Sequence, residues 1–138
     1  MNEEIFTLKM LFLDDIRYPQ DAANYIHPVE LRPYYRQCQV DIVRNYKEFV
    51  EYFKYNEMPD IISFDHDLAD QHYAPMDQWE KYDEWAAQQH FKEETGYDCA
   101  KFLINYCQEK GIKLPTTFCH SMNPVGKENI LNLLNGRN

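Results

Sequence analysis

Three short apolar runs, each followed at once by polar or ionisable residues, constrain the fold more than any other feature of this sequence. The runs are residues 10–13, 61–64 and 116–119. A β-strand that is buried on both faces has this composition, and in open α/β sheets ligands bind beyond the carboxyl ends of the strands. We therefore expect the residues that follow the runs to meet at one edge of a sheet. They are Asp14, Asp15, Asp65, His66, Asp67, His120 and Ser121.

The rest of the chain predicts helices that alternate with strands. Apolar positions at helical spacing predict helices over residues 45–56, 95–111 and 123–135, and strands are expected over 7–13, 38–44, 61–65 and 116–119. Three prolines interrupt residues 18–37, where at most one short helix is expected. Alternation of this kind predicts an α/β fold with a parallel sheet and right-handed crossovers. The expected architecture is a truncated flavodoxin-like, three-layer domain with about four strands in the order 2-1-3-4.

Length and charge narrow the classes of partner. The 138 residues suit a single domain, and the formal net charge of −9 argues against an extended nucleic-acid surface, which needs clustered Lys and Arg. A small anionic ligand or a nucleic-acid end is compatible with this charge if a metal supplies positive charge. No long apolar run predicts a membrane span, and the four cysteines form no C-x-x-C pair. We expect a soluble, cytoplasmic protein that has no membrane partner.

An acidic, aromatic insertion is expected at residues 69–94. It holds seven acids against two lysines, and residues 77–91 could form a helix with Trp79, Tyr82 and Ala86 on one side. Two interpretations are open. The favoured one is an insertion that packs its aromatic rings on the domain, and the other is a lid that covers the site.

Carboxylates that meet at one edge of the sheet repel one another, so we expect a cation to bind among them. A doublet, Asp14 and Asp15, follows one strand, and Asp65 and Asp67 follow another. Mg²⁺ or Mn²⁺ favours a few carboxylates together with waters and can bridge to a phosphate. The alternative is that Asp14 or Asp67 only caps a turn or pairs with Arg17. The combination of a doublet and further acids at a second strand favours a metal site.

The two histidines at strand ends are candidates for acid–base catalysis. His66 lies between two acids, and His120 follows another strand. A histidine with satisfied ring nitrogens in the core is the alternative, but the shared placement favours a role as general acid, general base or metal ligand. Ser121 could bind a phosphate oxygen or could only cap its turn.

Phosphate contacts are expected from two further places. The last helix begins near Asn123, and its first turn contains Gly126 and Lys127. A helix N-terminus attracts anions, a glycine permits close approach of the backbone, and a lysine adds charge. Arg17, three residues after Asp14, could bind a phosphate through two hydrogen bonds.

The acidic residues resemble those of response-regulator receiver domains. Asp14 and Asp15 after the first strand and Asp65 after the third match the acidic triad of receivers, in which the pair binds Mg²⁺ and the third Asp accepts a phosphoryl group. Ser121 falls where receivers carry a Ser or Thr. After the last helix the sequence predicts no fifth strand with the receiver lysine, and His66 and Asp67 follow Asp65 where receivers carry an apolar residue and a proline-containing loop.

Four motifs together are closer to the cyclic-phosphate processing receiver-like domains, a small family of degenerate receivers. They are LFLDD-x-R-x-P from residue 11, FDHDL from residue 64, TG-x-D from residue 95 and HS-x-NP-x-G from residue 120. The resemblance covers most of the chain outside residues 20–37 and 69–94. It implies a receiver-derived fold that processes cyclic phosphate ends of RNA, in RNA repair or in conflict between phage and host.

Two functional hypotheses follow. The first is a metal-dependent phosphoesterase that opens 2′,3′-cyclic phosphates on RNA ends or nucleotides, with Asp14, Asp15 and Asp65 around the metal and with His66 or His120 transferring protons. The second is a non-catalytic, degenerate receiver module that binds a protein or a phosphorylated ligand. An unprotected edge of the short sheet would also allow a homodimer.

Overall fold

The computed structural model describes residues 4–68 and 95–136 of the chain. The expected insertion at residues 69–94, with its helix and its aromatic residues, lies outside this range. Nothing in the described residues therefore bears on the choice between a packed insertion and a lid.

The described residues contain one parallel sheet of four strands in the order β2-β1-β3-β4, as the sequence predicts. The strands are β1 (Lys9–Leu13), β2 (Gln39–Val43), β3 (Ile61–Phe64) and β4 (Thr116–Cys119). Leu13 pairs with Val43 and Phe64, and Phe64 pairs with Cys119, so the carboxyl ends of all four strands lie in register. A parallel sheet in this register presents the residue after each strand along a single edge.

In residues 4–68 and 95–136, five α-helices surround the sheet. They are α1 (Pro19–Ala23), α2 (Arg32–Gln37), α3 (Tyr46–Tyr55), α4 (Gly96–Lys110) and α5 (Pro124–Asn135), with short 3-10 helices at Ile5–Thr7 and Val29–Leu31. The expectation of at most one short helix in residues 18–37 is wrong. Pro19 is the first residue of α1, and Pro33 is the second residue of α2. The N–H groups of the first turn have no acceptor within the helix, so a proline can stand there without the loss of a hydrogen bond.

The long helices begin and end as the sequence predicts. Asn45 accepts a hydrogen bond from the Glu48 N–H at the start of α3, and Thr95 forms a capping box with Asp98 at the start of α4. At the end of α4, Gly111 adopts a left-handed conformation with φ of 67°, which a residue without Cβ adopts at low cost. These caps fix where each helix meets the sheet edge.

The two faces of the sheet form two separate cores. Leu11, Leu13, Ile62 and Phe64 point to one face and pack against α3, α4 and α5. Met10, Phe12 and Ile61 point to the other face. They pack against Ala22 and Ala23 of α1, Tyr35 of α2, and Ile26 in the segment between these helices. The result is a three-layer, flavodoxin-like α/β arrangement, as expected. Within the described ranges, none of the helices has the length and apolar character that crossing a bilayer requires.

Candidate functional site

Strand register brings three of the predicted site residues together. One residue beyond the paired positions Leu13, Phe64 and Cys119 come Asp14, Asp65 and His120. The backbone ladder continues into them, because the Asp65 N–H donates to the Leu13 carbonyl at 2.9 Å and the His120 N–H to the Phe64 carbonyl at 3.0 Å. Asp14, Asp65 and His120 each offer one potential ligand atom, and these atoms lie within 4.8 Å of one another. We call this group the acidic mouth.

Asp14 is fully buried, and three hydrogen bonds and one ion pair fix its carboxylate. Oδ1 accepts hydrogen bonds from the N–H groups of Ile16 (3.0 Å) and Arg17 (2.8 Å), and Oδ2 lies 3.0 Å from Nε2 of His120. Oδ2 also lies 3.5 Å from Nη1 of Arg17. Burial alone would raise the pKa of Asp14, but the bonds from His120 and from the backbone outweigh it and lower the pKa to about 2. Asp14 is therefore a charged group of fixed orientation.

Asp65 is the opposite case. Burial, and then the negative charge of Asp14, raise the pKa of Asp65 to about 7. Its Oδ1 accepts the His66 N–H at 2.9 Å, and within the described residues its other oxygen accepts no hydrogen bond. The nearby Arg17 lowers the pKa by less than burial and Asp14 raise it. A cation at this position would remove the cause of the raised pKa.

His120 lies behind Asp14, away from solvent. It is fully buried, its ring stacks on Phe12 at a centroid distance of 4.3 Å, and both of its nitrogens are hydrogen-bonded. Nδ1 lies 2.7 Å from the Ser63 hydroxyl, and Nε2 contacts Asp14. Burial lowers the pKa of His120, although Asp14 acts in the opposite direction. This geometry suits a residue that acts through Asp14 rather than one that exchanges protons with a ligand.

Arg17 places a cation beside both carboxylates. Its side chain is partly buried, and its Nη2 contacts Sδ of Met122 at 3.4 Å, so the guanidinium reaches across the acidic mouth. Arg44 supports this loop, because its Nη1 donates to the carbonyls of Asp14 (3.1 Å) and Arg17 (2.8 Å). An anion that approached Asp65 would meet the guanidinium of Arg17.

The other two predicted metal ligands lie outside the closest group. Asp15 is partly buried, and burial followed by the charge of Asp14 raises its pKa. Asp67 is exposed, and its Oδ1 lies 2.9 Å from Nδ1 of His66. Asp15 is thus near enough to Asp14 to interact with it electrostatically, whereas Asp67 orients the His66 ring.

Three predicted phosphate contacts have structural partners in the turn before α5. The Ser121 hydroxyl accepts the Asn123 N–H at 3.1 Å, and Asn123 Oδ1 accepts the Gly126 N–H at 3.0 Å. Gly126 faces the His66 ring so closely that a Cβ there would collide with it. The glycine therefore makes room for His66, and its N–H is already used by the cap. Lys127 is partly buried in the first turn of α5, and after burial its charge also contributes to the lowered pKa of His120.

An open cavity lies on the other side of His66, between α4 and α5. Its volume is about 560 Å³, and its lining consists of His66, Thr95, Tyr97, Asn129, Asn132 and Leu133. The lining combines an aromatic ring, two amides and an imidazole. A polar organic group with a flat face would fit such a surface.

Several residues of the site were missed at the level of the sequence. Ser63 and Tyr35 form the hydrogen bonds behind His120, Arg44 supports the loop, and Gly96 packs on the Asp65 carbonyl, where a Cβ would collide. Ser63 did leave a signal, because it is the one hydroxyl in a strand whose four residues are otherwise apolar. Tyr35 left none, since it lies in the stretch whose prolines obscured the helices.

Comparison with known families and proteins gives one match. The family model described as "Cyclic-phosphate processing Receiver domain" matches residues 9–136 of the chain. No curated protein and no solved structure matches the chain. The matched range includes every strand of the sheet and every residue of the acidic mouth.

Proposed function

This chain belongs to the family of cyclic-phosphate processing receiver domains, and we propose that it is a phosphoesterase that opens cyclic phosphates with the help of Mg²⁺ or Mn²⁺. The observation that carries this proposal is the pair of buried carboxylates, Asp14 and Asp65, in which burial and then the negative charge of Asp14 raise the pKa of Asp65 to about 7. Two acids so close together in a buried site are destabilising unless a proton or a cation neutralises one of them.

The donors at the acidic mouth fit a hard divalent cation. Asp14 and Asp65 offer carboxylate oxygens, which Mg²⁺ and Mn²⁺ prefer, and the best ligand atom is Oδ2 of Asp65, which accepts no hydrogen bond from the described residues. Asp14 offers its charge and Oδ2, and Asp15 adds a further carboxylate nearby. When bound, such a cation would polarise the phosphoryl group and lower the pKa of a water molecule.

The side chains around the acidic mouth supply the remaining functions. Hydrolysis of a cyclic phosphate joins a water oxygen to phosphorus and breaks one ester P–O bond, whose oxygen then takes a proton. Arg17 is placed to pair with the phosphoryl oxygens, and Lys127 adds positive charge. His66 is the candidate for proton transfer, because Asp67 holds its Nδ1 and leaves Nε2 for the substrate. His120 acts in this proposal by holding Asp14.

The cavity beside His66 supports a nucleotide or an RNA end as the substrate. It begins at the residue after Asp65 and offers Tyr97 for stacking and the amides of Asn129 and Asn132 for hydrogen bonds. A nucleoside attached to the phosphate could occupy it. The expected consequence is that 2′,3′-cyclic mononucleotides are opened with a higher kcat/KM than a cyclic phosphate without a base.

The direct test uses ³¹P NMR to follow 2′,3′-cyclic AMP in the presence of Mn²⁺, Mg²⁺ or EDTA. Wild-type protein should convert the cyclic phosphate to a monoester only with a metal, and Asp65→Asn should lower kcat/KM at least a hundredfold. Glu57→Gln is the matched control, since it removes the same charge from an exposed residue and should turn over normally. Equal turnover by wild type and Asp65→Asn would rule out the proposal.

A non-catalytic receiver module is the second candidate, favoured by the position of Asp65 at the end of β3. In a receiver this carboxylate would attack a phosphoryl donor and form an acyl phosphate. Incubation with acetyl phosphate and Mg²⁺, followed by intact-mass measurement, separates the two functions. The phosphoesterase proposal expects no stable adduct, whereas a phosphoryl adduct that Asp65→Asn abolishes would favour the module.

A further inference from the structure

A continuous chain of hydrogen bonds runs through the α1/α2 core to the acidic mouth. The Tyr35 hydroxyl lies 2.6 Å from Ser63 Oγ, Ser63 Oγ lies 2.7 Å from Nδ1 of His120, and Nε2 of His120 lies 3.0 Å from Oδ2 of Asp14. Ser63, His120 and Asp14 have no exposed surface, and Tyr35 is 2% exposed. Four polar side chains from α2, β3 and the ends of β4 and β1 are thus joined by direct hydrogen bonds.

With a neutral His120, the charge of Asp14 fixes the direction of every bond in this chain. A carboxylate can only accept, so Nε2 of His120 donates to Asp14. In a neutral imidazole Nδ1 then accepts, and the single proton of the Ser63 hydroxyl must point to it. Ser63 Oγ is left to accept the proton of Tyr35. Of the two neutral tautomers of His120, the one with its proton on Nε2 is therefore the one in which each of the three bonds has one donor and one acceptor.

Packing allows the His120 ring little freedom to leave this orientation. Phe12 stacks on one face with an interplanar angle of 12°, and the Tyr35 ring meets it edge-on at 74°. The His120 backbone is also held, because its carbonyl accepts the Tyr25 hydroxyl at 2.7 Å. These contacts resemble those of a carboxylate–histidine pair that orients a ligand from behind.

We propose that Ser63 and Tyr35 are positioning residues, which act through His120 to hold the Asp14 carboxylate in the orientation that the cation site needs. This inference rests on the proposed function, because it gives the orientation of Asp14 its purpose. The inference goes beyond the proposed function because it assigns a role to two core residues that touch neither cation nor substrate. Substitution of Ser63 or Tyr35 should therefore weaken cation binding, although Asp14, Asp65 and His120 themselves are not substituted.

The first test measures which nitrogen of His120 carries a proton. Protein with ¹⁵N-labelled histidine is examined by NMR at neutral pH without metal, and the His120→Asn variant identifies the resonances. The expected spectrum shows one neutral form with the proton on Nε2. A proton on Nδ1, or protons on both nitrogens, would reverse the direction of the chain and overturn the inference.

The second test measures the affinity for Mn²⁺ alone, by electron paramagnetic resonance of the free ion. Ser63→Ala should weaken binding about tenfold, as is typical when a residue that orients a metal ligand is lost, and Tyr35→Phe about threefold. Because Tyr35 acts only through Ser63, adding Tyr35→Phe to Ser63→Ala should cause no further loss. Tyr34→Phe is the matched control, since it removes a hydroxyl from the neighbouring residue of α2, and it should bind as wild type.

The outcomes distinguish this inference from the proposed function. Full Mn²⁺ affinity in Ser63→Ala, or independent losses from the two variants, would overturn the positioning role. Tyr35→Phe keeps the volume of the ring and so provides the comparison if Ser63→Ala does not fold. Absence of any Mn²⁺ binding by wild type would remove the metal from the proposed function, and the spectrum of His120 would then decide alone whether Ser63 and Tyr35 hold this ring.

Discussion

One face of the sheet packs apolar side chains against α3, α4 and α5, whereas the other carries the hydrogen-bonded chain from Tyr35 to Asp14 through its core. Both faces have buried cores, but these cores have different roles. The first holds the helices on the sheet through removal of apolar surface from water. The core of the second face includes buried polar groups, and each of them needs a hydrogen-bond partner. The comparison shows how a small domain separates the stability of its fold from the orientation of its site.

The largest expected effect tests whether the apolar face is independent of the site. Leu103 is fully buried in α4. The change Leu103→Ala should lower the unfolding free energy by about 3–4 kcal/mol, because the transfer free energy of the side chain is lost and a cavity remains. Urea unfolding followed by circular dichroism measures this loss. The folded variant should still bind Mn²⁺ with wild-type affinity, and a weakened site would contradict the separation of the two faces.

The next effect tests the electrostatics at the edge of the other face. The pKa of Asp65 in the folded protein, about 7, lies above its ordinary value of 3.8, so the folded state binds more protons between these values. The unfolding free energy of metal-free protein should therefore fall by about 3 kcal/mol as the pH rises from 4 to 7, and level off above it.

The same experiment contains its controls. Asp65→Asn should abolish the fall, and Mn²⁺ should restore the lost stability above pH 7 in wild type only. Asp14 has the opposite sign, because its pKa is lowered to about 2 and its stabilisation disappears only as the pH falls below about 4. A stability profile that is flat between pH 4 and 7 would contradict the raised pKa of Asp65.

A smaller effect distinguishes two glycines at opposite ends of α4. A Cβ on Gly96 would collide with the Asp65 carbonyl, so Gly96→Ala should cost about 2 kcal/mol and also weaken Mn²⁺ binding, since the backbone of the acidic mouth must shift. Gly111 has φ of 67° and open space around it, so Gly111→Ala should cost only about 1 kcal/mol. Unfolding and Mn²⁺ titration of both variants check this, and equal Mn²⁺ affinities would show that Gly96 has no bearing on the site.

The sequence predicted the apolar face well because its signals are local. Helical spacing and caps, such as Asn45 before α3 and Gly111 after α4, depend on residues a few positions apart. The strand order also followed, since apolar runs that alternate with helices leave few arrangements. The meeting of Asp14 and Asp65 could be foreseen for the same reason, because each ends a strand of that sheet.

The polar face could not be predicted in the same way because its contacts are not local. Tyr35 and Ser63 are 28 positions apart, and Ser63 and His120 are 57 apart. The contact between the Tyr35 hydroxyl and Ser63 depends on how α2 packs against the sheet. The prolines in residues 18–37 interrupt the helical pattern, so the sequence did not predict α2. The roles of Ser121 and Asn123 were equally hard to predict, because the same residue types cap turns and bind phosphates.

The measurement that tests the central claim most directly is a calorimetric titration of the protein with Mn²⁺ at pH 6 and pH 8, in buffers with different ionisation enthalpies. If Asp14 and Asp65 form one cation site, wild type should bind one ion, more tightly at pH 8, and release protons from Asp65 at pH 6. Glu57→Gln should behave as wild type, and Asp65→Asn should lose the site. Binding that is undetectable in wild type, or that is unchanged in Asp65→Asn, would contradict the account.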